Sequence, residues 1–367
     1  MSYEDSINEA GRLMTICNAC RYCEGFCAVF PAMELRRTFS AQDLKYLANL
    51  CHNCRGCYYA CQYAPPHEFD VNVPRTFAEL RLECYHRFAR PRVLAGMLRR
   101  NGLWVAGLAI LSVACAVMLL FGFQPPAVVF GAQSGEAAFY RVIPYALMVS
   151  VFSVLAVCVL AVIFSGILEF LRETETTSGE WFDFRSILRA AADALQLKYL
   201  EGGGQGCNYP GERFSMIRRW FHHLVFYGFM FCFGATTVAA IYDHFLKQPA
   251  PYPFWSWPVL LGTVGGLLLL AGTVGLLVLK IMMDPAPTTP QTSGMDIAFL
   301  MLLFFTSLTG LLLLMLRETS AMATLLAVHL GVVAGLFVSM PYSKFVHAPY
   351  RFAALVRNAY EQARQGQ

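Results

Sequence analysis

The sequence predicts an all-α protein, in which a small helical N-terminal domain precedes a bundle of six transmembrane helices. Of its 367 residues, 57% are hydrophobic and only 14% are charged, a balance that is typical of membrane proteins. Six uncharged runs are each long enough to cross about 30 Å of hydrocarbon. Ahead of them, eight cysteines are grouped in two short runs.

The two cysteine runs have the same spacing, C-x2-C-x2-C-x3-C. This spacing is typical of [4Fe-4S] clusters, in which each iron takes one thiolate ligand. In two-cluster ferredoxins the fourth cysteine of each run ligates the other cluster, so we expect the two ligand sets to cross between the runs. The first cysteine set is Cys17, Cys20, Cys23 and Cys61, and the second cysteine set is Cys51, Cys54, Cys57 and Cys27.

Zinc and disulfide bonds explain this spacing less well. Structural zinc sites combine two ligand pairs and have no use for a third cysteine at the same step followed by a fourth. Disulfides are disfavoured because no secretory signal precedes Cys17 and the opening residues are polar, which predicts a reducing compartment. Residues 33–50 have helix-forming composition with Ser40 as the expected N-cap, which favours the helical kind of ferredoxin domain.

We divide the chain into four parts. Residues 1–75 are the expected helical two-cluster ferredoxin domain, 76–102 a basic amphipathic juxtamembrane segment, 103–347 the six-helix membrane domain and 348–367 a tail. The juxtamembrane arginines are Arg81, Arg87, Arg90, Arg92, Arg99 and Arg100. Such a segment suits an anionic lipid surface, although an ordinary solvated linker would have a similar composition.

The predicted spans are residues 103–123, 142–168, 224–242, 254–279, 297–316 and 321–343. Six crossings bring both ends of the chain to the same side of the membrane. Lys and Arg are concentrated on that side, whereas the opposite loops carry only Arg141, Lys247 and Arg317. By the positive-inside rule, we expect both termini and the loop 169–219 to be cytoplasmic.

The cytoplasmic loop has two expected parts. Residues 182–200 place apolar side chains at helical spacing, which predicts an amphipathic helix. Residues 201–215 are rich in glycine, but they lack G-x-G-x-x-G spacing and a preceding strand, so they do not predict a nucleotide site. We expect them to form a docking loop that covers the cysteine domain. The GTVG stretches at 262–265 and 272–275 predict close helix packing in the fourth span.

Histidines near the spans are candidate haem ligands, because two helices that present histidines at one depth can hold a b-type haem. His222 and His223 begin the third span on the expected cytoplasmic side, where His347 follows the sixth. Adjacent residues point about 100° apart, so only one of His222 and His223 can face the bundle. Isolated boundary histidines can simply contact water and headgroups, but the shared depth beside the cysteine domain favours a haem.

Two further histidines allow several interpretations. His329 lies inside the sixth span and His244 ends the third. The two could hold a second haem, His329 could handle protons at a quinone pocket, or His329 could form a hydrogen bond within the bundle. We favour one haem over two.

The N-terminal part resembles the helical two-cluster domain in the iron–sulfur subunits of succinate dehydrogenase and glycerol-3-phosphate dehydrogenase. All eight cysteine positions match. Those runs usually end in Cys-Pro, whereas here Pro31 and Pro65 come four residues after the last cysteine.

The C-terminal part resembles the cytochrome b subunit of respiratory nitrate reductase. In that family one helix carries haem histidines eighteen residues apart, as are His329 and His347. A second helix carries histidines ten apart, the first with a glycine five residues on. His223 with Gly228 fits the first position, but Phe233 stands at the second. The resemblance therefore implies a single haem bound by His223 and His347.

Nearly the whole chain, including RRWFHHLVFYGF at 218–229 and PYSKFVHAPYR at 341–351, resembles the tricarballylate- or citrate-utilisation protein B family. The resemblance implies a protein of the bacterial inner membrane that accepts electrons from a soluble FAD-dependent dehydrogenase acting on tricarballylate. It also implies that quinone receives these electrons, through two [4Fe-4S] clusters and a b-type haem.

Two alternative functions fit less well. Heterodisulfide reductases use an adjacent Cys-Cys pair, which the sequence lacks. A transporter with a redox-sensing domain would need more charges in its spans to bind a tricarboxylate. No dinucleotide fingerprint or oriented nucleophile predicts a substrate dehydrogenase site in this chain, and a net charge of +4 is too small to indicate a nucleic-acid partner.

Overall fold

The computed structural model describes residues 3–98 and 100–365, without the side chain of Leu98. Arg99 of the expected juxtamembrane segment lies outside the described residues, as do residues 1–2 and 366–367 at the ends of the first and last expected parts. In the described part, regular structure is helical except for two short strands. The all-α class is therefore confirmed.

The helices before the first span are α1 (Tyr3–Cys20), α2 (Val29–Glu34), α3 (Ala41–Leu50), α4 (Gly56–Tyr59), α5 (Val73–Phe88) and α6 (Arg92–Ala95). The later helices are α7 (Asn101–Phe123), α8 (Pro126–Phe130), α9 (Ala138–Val142), α10 (Tyr145–Glu173), α11 (Ser178–Trp181), α12 (Phe184–Leu195), α13 (Ile217–His244), α14 (Trp257–Met282), α15 (Pro290–Leu316), α16 (Met322–Ser339) and α17 (His347–Gln365). The antiparallel strands are β1 (Cys207–Asn208) and β2 (Phe214–Ser215). Single turns of 3-10 helix occupy Gly96–Leu98, Lys198–Leu200, Gly202–Gly204, Met340–Tyr342 and Lys344–Val346.

Helices α1, α3 and α5 form the N-terminal core, in which Leu13, Leu47 and Phe77 are fully buried. Helix α3 begins as predicted. The Ser40 hydroxyl accepts a hydrogen bond from the Asp43 amide at 3.2 Å, and the Asp43 carboxylate accepts one from the Ser40 amide at 3.2 Å. This reciprocal cap satisfies two amide groups that the first turn leaves free. The helix ends at Leu50, just before Cys51.

The expected juxtamembrane segment is only partly a surface element. Its first residues belong to α5, where Arg81 is buried and donates hydrogen bonds to the carbonyls of Ala48 (2.8 Å) and Cys51 (2.9 Å). Arg90 pairs with Glu169 at 2.8 Å. A buried guanidinium needs such acceptors, so Arg81 is a structural residue of the N-terminal domain and not a lipid-facing charge.

Six helices among the described residues are long and apolar enough to cross a membrane: α7, α10, α13, α14, α15 and the stretch Met322–Tyr342 that contains α16. Large apolar side chains are exposed on them, such as Ile110 (70%) and Phe164 (61%), which is expected where lipid is the solvent. Helices α13 and α15 extend beyond the predicted runs at their starts because their first turns are polar. The chain is a multi-pass membrane protein.

Helices α13 and α14 pack closely through glycines, as predicted from the GTVG stretches. A Cβ added at Gly275 would lie 2.3 Å from the Phe221 ring, and one added at Gly265 would lie 2.8 Å from the Gly228 oxygen. Small residues allow this backbone approach, and they turn the Phe221 and Gly228 face of α13 toward α14.

The sixth span ends before His347. Helix α16 stops at Ser339, two 3-10 turns follow, and His347 begins α17. Pro341 cannot donate the next helical hydrogen bond, so His329 and His347 do not share one continuous helix as the resemblance implied. Helix α17 packs on the N-terminal domain, where Glu361 pairs with Arg36 at 2.5 Å.

Candidate functional site

The first cysteine set lies around a cavity of about 280 Å³. Cys17, Cys20, Cys23 and Cys61 all line it, together with Cys57 and Tyr22. Cys17 and Cys20 come from the last turn of α1, and Cys20 is exposed. Burial and the neighbouring thiols of Cys23 and Cys61 raise the pKa of Cys17 to about 12. Crowded thiols resist ionisation together, and iron cations would relieve that repulsion.

The second cysteine set is more deeply placed. Cys51 and Cys54 are buried, and Cys27 and Cys57 lie close to them. A hydrogen bond with Cys54, followed by burial, raises the pKa of Cys27 well above its usual value. The same hydrogen bond lowers the pKa of Cys54 to about 6. The structure thus groups the fourth cysteine of each run with the first three of the other run.

This arrangement fits two clusters. Among the described residues, no three of the His, Cys, Asp and Glu side chains are placed to hold a single metal ion. In a [4Fe-4S] cluster each cysteine binds a different iron, so four thiolates that line one cavity are appropriate to a cluster.

The glycine-rich loop covers the second cysteine set, as predicted. The Asn208 amide donates to the Cys54 carbonyl at 3.0 Å. Gly203, at a φ of +80°, approaches the chain so closely that an added Cβ would lie 3.2 Å from the Gly25 oxygen. Only glycine adopts this backbone conformation without strain, so the loop's glycines serve close docking.

His222 and His347 meet at the end of the bundle beneath the second set. Their ring centroids are 6.4 Å apart, which matches the roughly 6 Å expected when each imidazole nitrogen is about 2 Å from one metal ion. His347 Nδ1 donates to the Lys344 carbonyl at 2.5 Å. That hydrogen bond leaves His347 Nε2 free to ligate, a usual arrangement for metal-binding histidines.

Two further observations fit a haem between these rings. Burial, with help from Arg351 and Lys344, holds the pKa of His347 well below its usual range, so the imidazole is neutral, which is its ligating form. Among the residues that the structure describes, none forms a hydrogen bond with the buried Nδ1 atom of His222. A buried polar atom of this kind calls for an explanation, and a metal ion bound through this nitrogen would supply one.

The structure turns His222 toward His347 and directs His223, the residue preferred from the sequence, to a different partner. His223 lies two residues after Phe221, hence about 200° around α13 from the face that packs on α14. Its Nε2 donates to the Gln196 carbonyl at 3.1 Å, beside similar hydrogen bonds from Arg219 and Tyr227 to the end of α12. His223 therefore caps α12, whose last carbonyls have no partner within the helix.

His329 and His244 have separate surroundings. His329 Nδ1 lies 3.0 Å from the Thr309 hydroxyl, and its ring rests on Gly310. His244 lies 3.4 Å from the Tyr145 hydroxyl at the opposite end of the bundle from the cysteine domain. The structure does not bring the two histidines together, and the hydrogen bond fits the interpretation of His329 as a bundle residue.

Sequence reasoning missed Arg218 and Arg351, which contact the second cysteine set. Arg218 donates to the carbonyls of His52 and Asn53, and Arg351 donates to that of Cys51. A signal was present: Arg218 precedes His222 by four residues and Arg351 follows His347 by four, so each arginine shares a helix face with a candidate ligand.

A helical cysteine domain seated on six membrane-crossing helices defines a membrane-anchored iron–sulfur protein. The family model described as citrate utilization protein B matches residues 96–367, and that described as the citrate utilization protein B Fer4-like domain matches residues 10–86. Citrate utilization protein B of Escherichia coli is 45% identical over 362 residues, covering 97% of this chain and 93% of that protein. The chain belongs to the citrate utilization protein B family, as the resemblance predicted. No solved structure matches it.

Proposed function

We propose that this chain is the membrane-anchored electron-transfer subunit of a tricarboxylate-oxidising system. It would accept electrons from a soluble FAD-dependent dehydrogenase for tricarballylate, and pass them to quinone in the bacterial inner membrane. The observation that carries the proposal is the stacking of three sites. The first cysteine set with its exposed Cys20, the second set with its buried Cys51 and Cys54, and the His222–His347 pair follow one another from the surface toward the membrane.

Each set of side chains has a defined task in this proposal. The first and second cysteine sets hold one [4Fe-4S] cluster each, and His222 with His347, instead of His223, holds a b-type haem. When bound, these groups supply the one-electron carriers that separate two-electron flavin chemistry from two-electron quinone chemistry. The chain itself provides the ligands, their spacing and the exclusion of water from the second set.

The orientation in the membrane follows from the same proposal. Because α17 and the N-terminal domain pack together, both termini lie at one end of the bundle. That end carries the arginine-rich loops, so we assign it to the cytoplasm, where a soluble dehydrogenase is available.

Reconstitution tests the proposal directly. The purified full-length protein in detergent is mixed with a reduced candidate flavoprotein and a soluble quinone analogue, and quinol formation is followed by absorbance. We expect quinol to form only when both proteins are present, and to fall to the background rate when the chain's iron has been removed. Equal quinol formation without the chain would contradict the proposed function.

A further inference from the structure

We infer that Arg218 and Arg351 are positioning residues that tie the second cysteine set to the histidine pair and make its cluster the easier of the two to reduce. The inference rests on the proposed function, because it concerns clusters held by these cysteines. It also gives the proposed electron path a direction, from the cluster of the first cysteine set to that of the second.

Both arginines link a histidine-bearing helix to one short segment. Arg218 of α13 donates to the carbonyls of Asn53 (2.6 Å) and His52 (3.2 Å), and Arg351 of α17 donates to the Cys51 carbonyl (2.9 Å). These acceptors lie between the cluster ligands Cys51 and Cys54. Since residues four apart share a helix face, the faces that present His222 and His347 also hold this segment.

Two more arginines surround the same segment. Arg81 donates to the Cys51 carbonyl at 2.9 Å, and Arg55, between Cys54 and Cys57, is only 1% exposed. Within residues 3–98 and 100–365, the hydrogen bonds of these four guanidinium groups go to carbonyl oxygens and to the sulfur atoms of Met283 and Cys207 rather than to carboxylates. Buried cations without anionic partners are costly, and a negatively charged cluster would compensate them.

Near the first cysteine set, the arginines in the described part of the chain are placed differently. Arg21 beside it is exposed and donates to the Asn18 carbonyl, and Arg12 pairs with Glu9. Charges in contact with water are strongly screened. Adding an electron adds one negative charge, which nearby cations stabilise, and cluster potentials respond to such local charge and hydrogen bonding. Burial of the second set opposes this effect. In the inference it is outweighed by the buried guanidinium groups of Arg81, Arg218 and Arg351, which donate to the carbonyls of residues 51–53 beside that set.

The electron balance is simple. A reduced flavin on the soluble partner releases two electrons, one at a time, and its protons pass to solvent. Each electron taken up at the second set adds one negative charge and makes or breaks no bond. It then leaves toward the histidine pair.

A redox titration of the full-length protein in detergent, followed by electron paramagnetic resonance of the reduced clusters, tests the inference. For Arg218→Gln and Arg351→Gln we expect the reduction equilibrium constant of one cluster to fall about tenfold, which is about 59 mV for a one-electron couple. The other cluster should not change. Arg218→Lys and Arg351→Lys keep the charge and should restore most of the wild-type potential.

Arg219→Gln is the matched control, because Arg219 is adjacent on α13 but donates to Gln196 and pairs with Glu201. Neither potential should shift in it. If a glutamine variant loses iron, Asn53→Asp provides a second test. Asn53 has a φ of +53°, which Asp tolerates, and the added negative charge should lower the same potential with both arginines present.

Unchanged potentials in the iron-loaded glutamine variants, or an equal fall in the glutamine and lysine variants, would overturn the inference. So would an Asn53→Asp protein with wild-type potentials. These measurements require neither haem nor quinone. A wild-type protein without quinone reduction would therefore contradict the proposed function while the arginine effect could still be observed.

Discussion

The first and second cysteine sets have identical spacing in the sequence and different surroundings in the fold. The first lines an open cavity, with Cys20 exposed and Tyr22 exposed over 68% of its surface. The second is enclosed by the glycine-rich loop, α13 and α17. Under the proposed function the two environments suit two tasks, because contact with a soluble partner requires access whereas transfer to the membrane requires proximity to the bundle.

Loss of a ligand from the second set should have the largest effect. In Cys54→Ser we expect reduction of quinone by the flavoprotein to be abolished, because the second set is the link between the surface and the histidine pair. Total non-haem iron should fall from about eight atoms toward four. Cys207→Ser, which alters a buried cysteine outside both runs, should keep its iron and activity. Full iron in Cys54→Ser would show that the ligand set is misassigned.

The histidine pair offers the next largest effect. We expect His222→Ala to lose the absorption spectrum of a low-spin b-type haem and to retain its cluster iron, because His222 faces His347. His223→Ala is the adjacent control and should keep the haem, since His223 binds the Gln196 carbonyl. Absorption spectra and iron content of the purified variants decide the matter. If His223→Ala lost the haem and His222→Ala kept it, the ligand pair would be His223 and His347, as predicted from the sequence.

The rate of iron release should distinguish the two sets in the unmodified protein. With a ferrous chelator under mildly oxidising conditions, we expect about half of the iron to leave in a fast phase from the exposed set. The other half should leave about tenfold more slowly, since it requires local opening of a buried site. Absorbance of the iron–chelator complex gives both phases. A single phase would mean that burial does not separate the sets.

The smallest expected effect concerns the start of α3, the helix that ends just before Cys51. Burial alone would raise the pKa of Asp43, but hydrogen bonds from Arg36 and Ser40 and the Arg36 charge hold it below its usual value. The ionised Asp43 carboxylate therefore stabilises the folded protein above the pKa of aspartate in the unfolded chain, about 3.9. This stabilisation is lost as the pH falls through the lower pKa of Asp43 in the folded protein. At neutral pH we expect Asp43→Asn to cost about 1 kcal/mol.

That cost should accelerate only the slow phase of iron release, about fivefold at neutral pH. The difference from the wild type should fade as the pH falls below about 4. Glu180→Gln makes the same carboxylate-to-amide change in the capping box at Thr177 and should change neither phase. If Asp43→Asn also accelerated the fast phase, the start of α3 would affect iron release from both cysteine sets, and the prediction would be wrong.

Much of the architecture followed from local signals. The six spans were predicted because an apolar run longer than the hydrocarbon thickness has few alternatives, and α3 was predicted because Ser40 and its neighbours satisfy the first turn locally. The burial of Arg81 was not predicted, since its acceptors at Ala48 and Cys51 are distant in sequence.

Local patterns in the sequence were enough to predict the membrane class, the helical cysteine domain and a cysteine spacing typical of [4Fe-4S] clusters. They also restricted the inward histidine to one of two neighbours. That this residue is His222 follows from helix packing, because the glycines that pack α13 on α14 set the rotation of α13. The tertiary structure also decided which cysteine set is buried, since identical spacing cannot specify which distant helices and arginines will cover it.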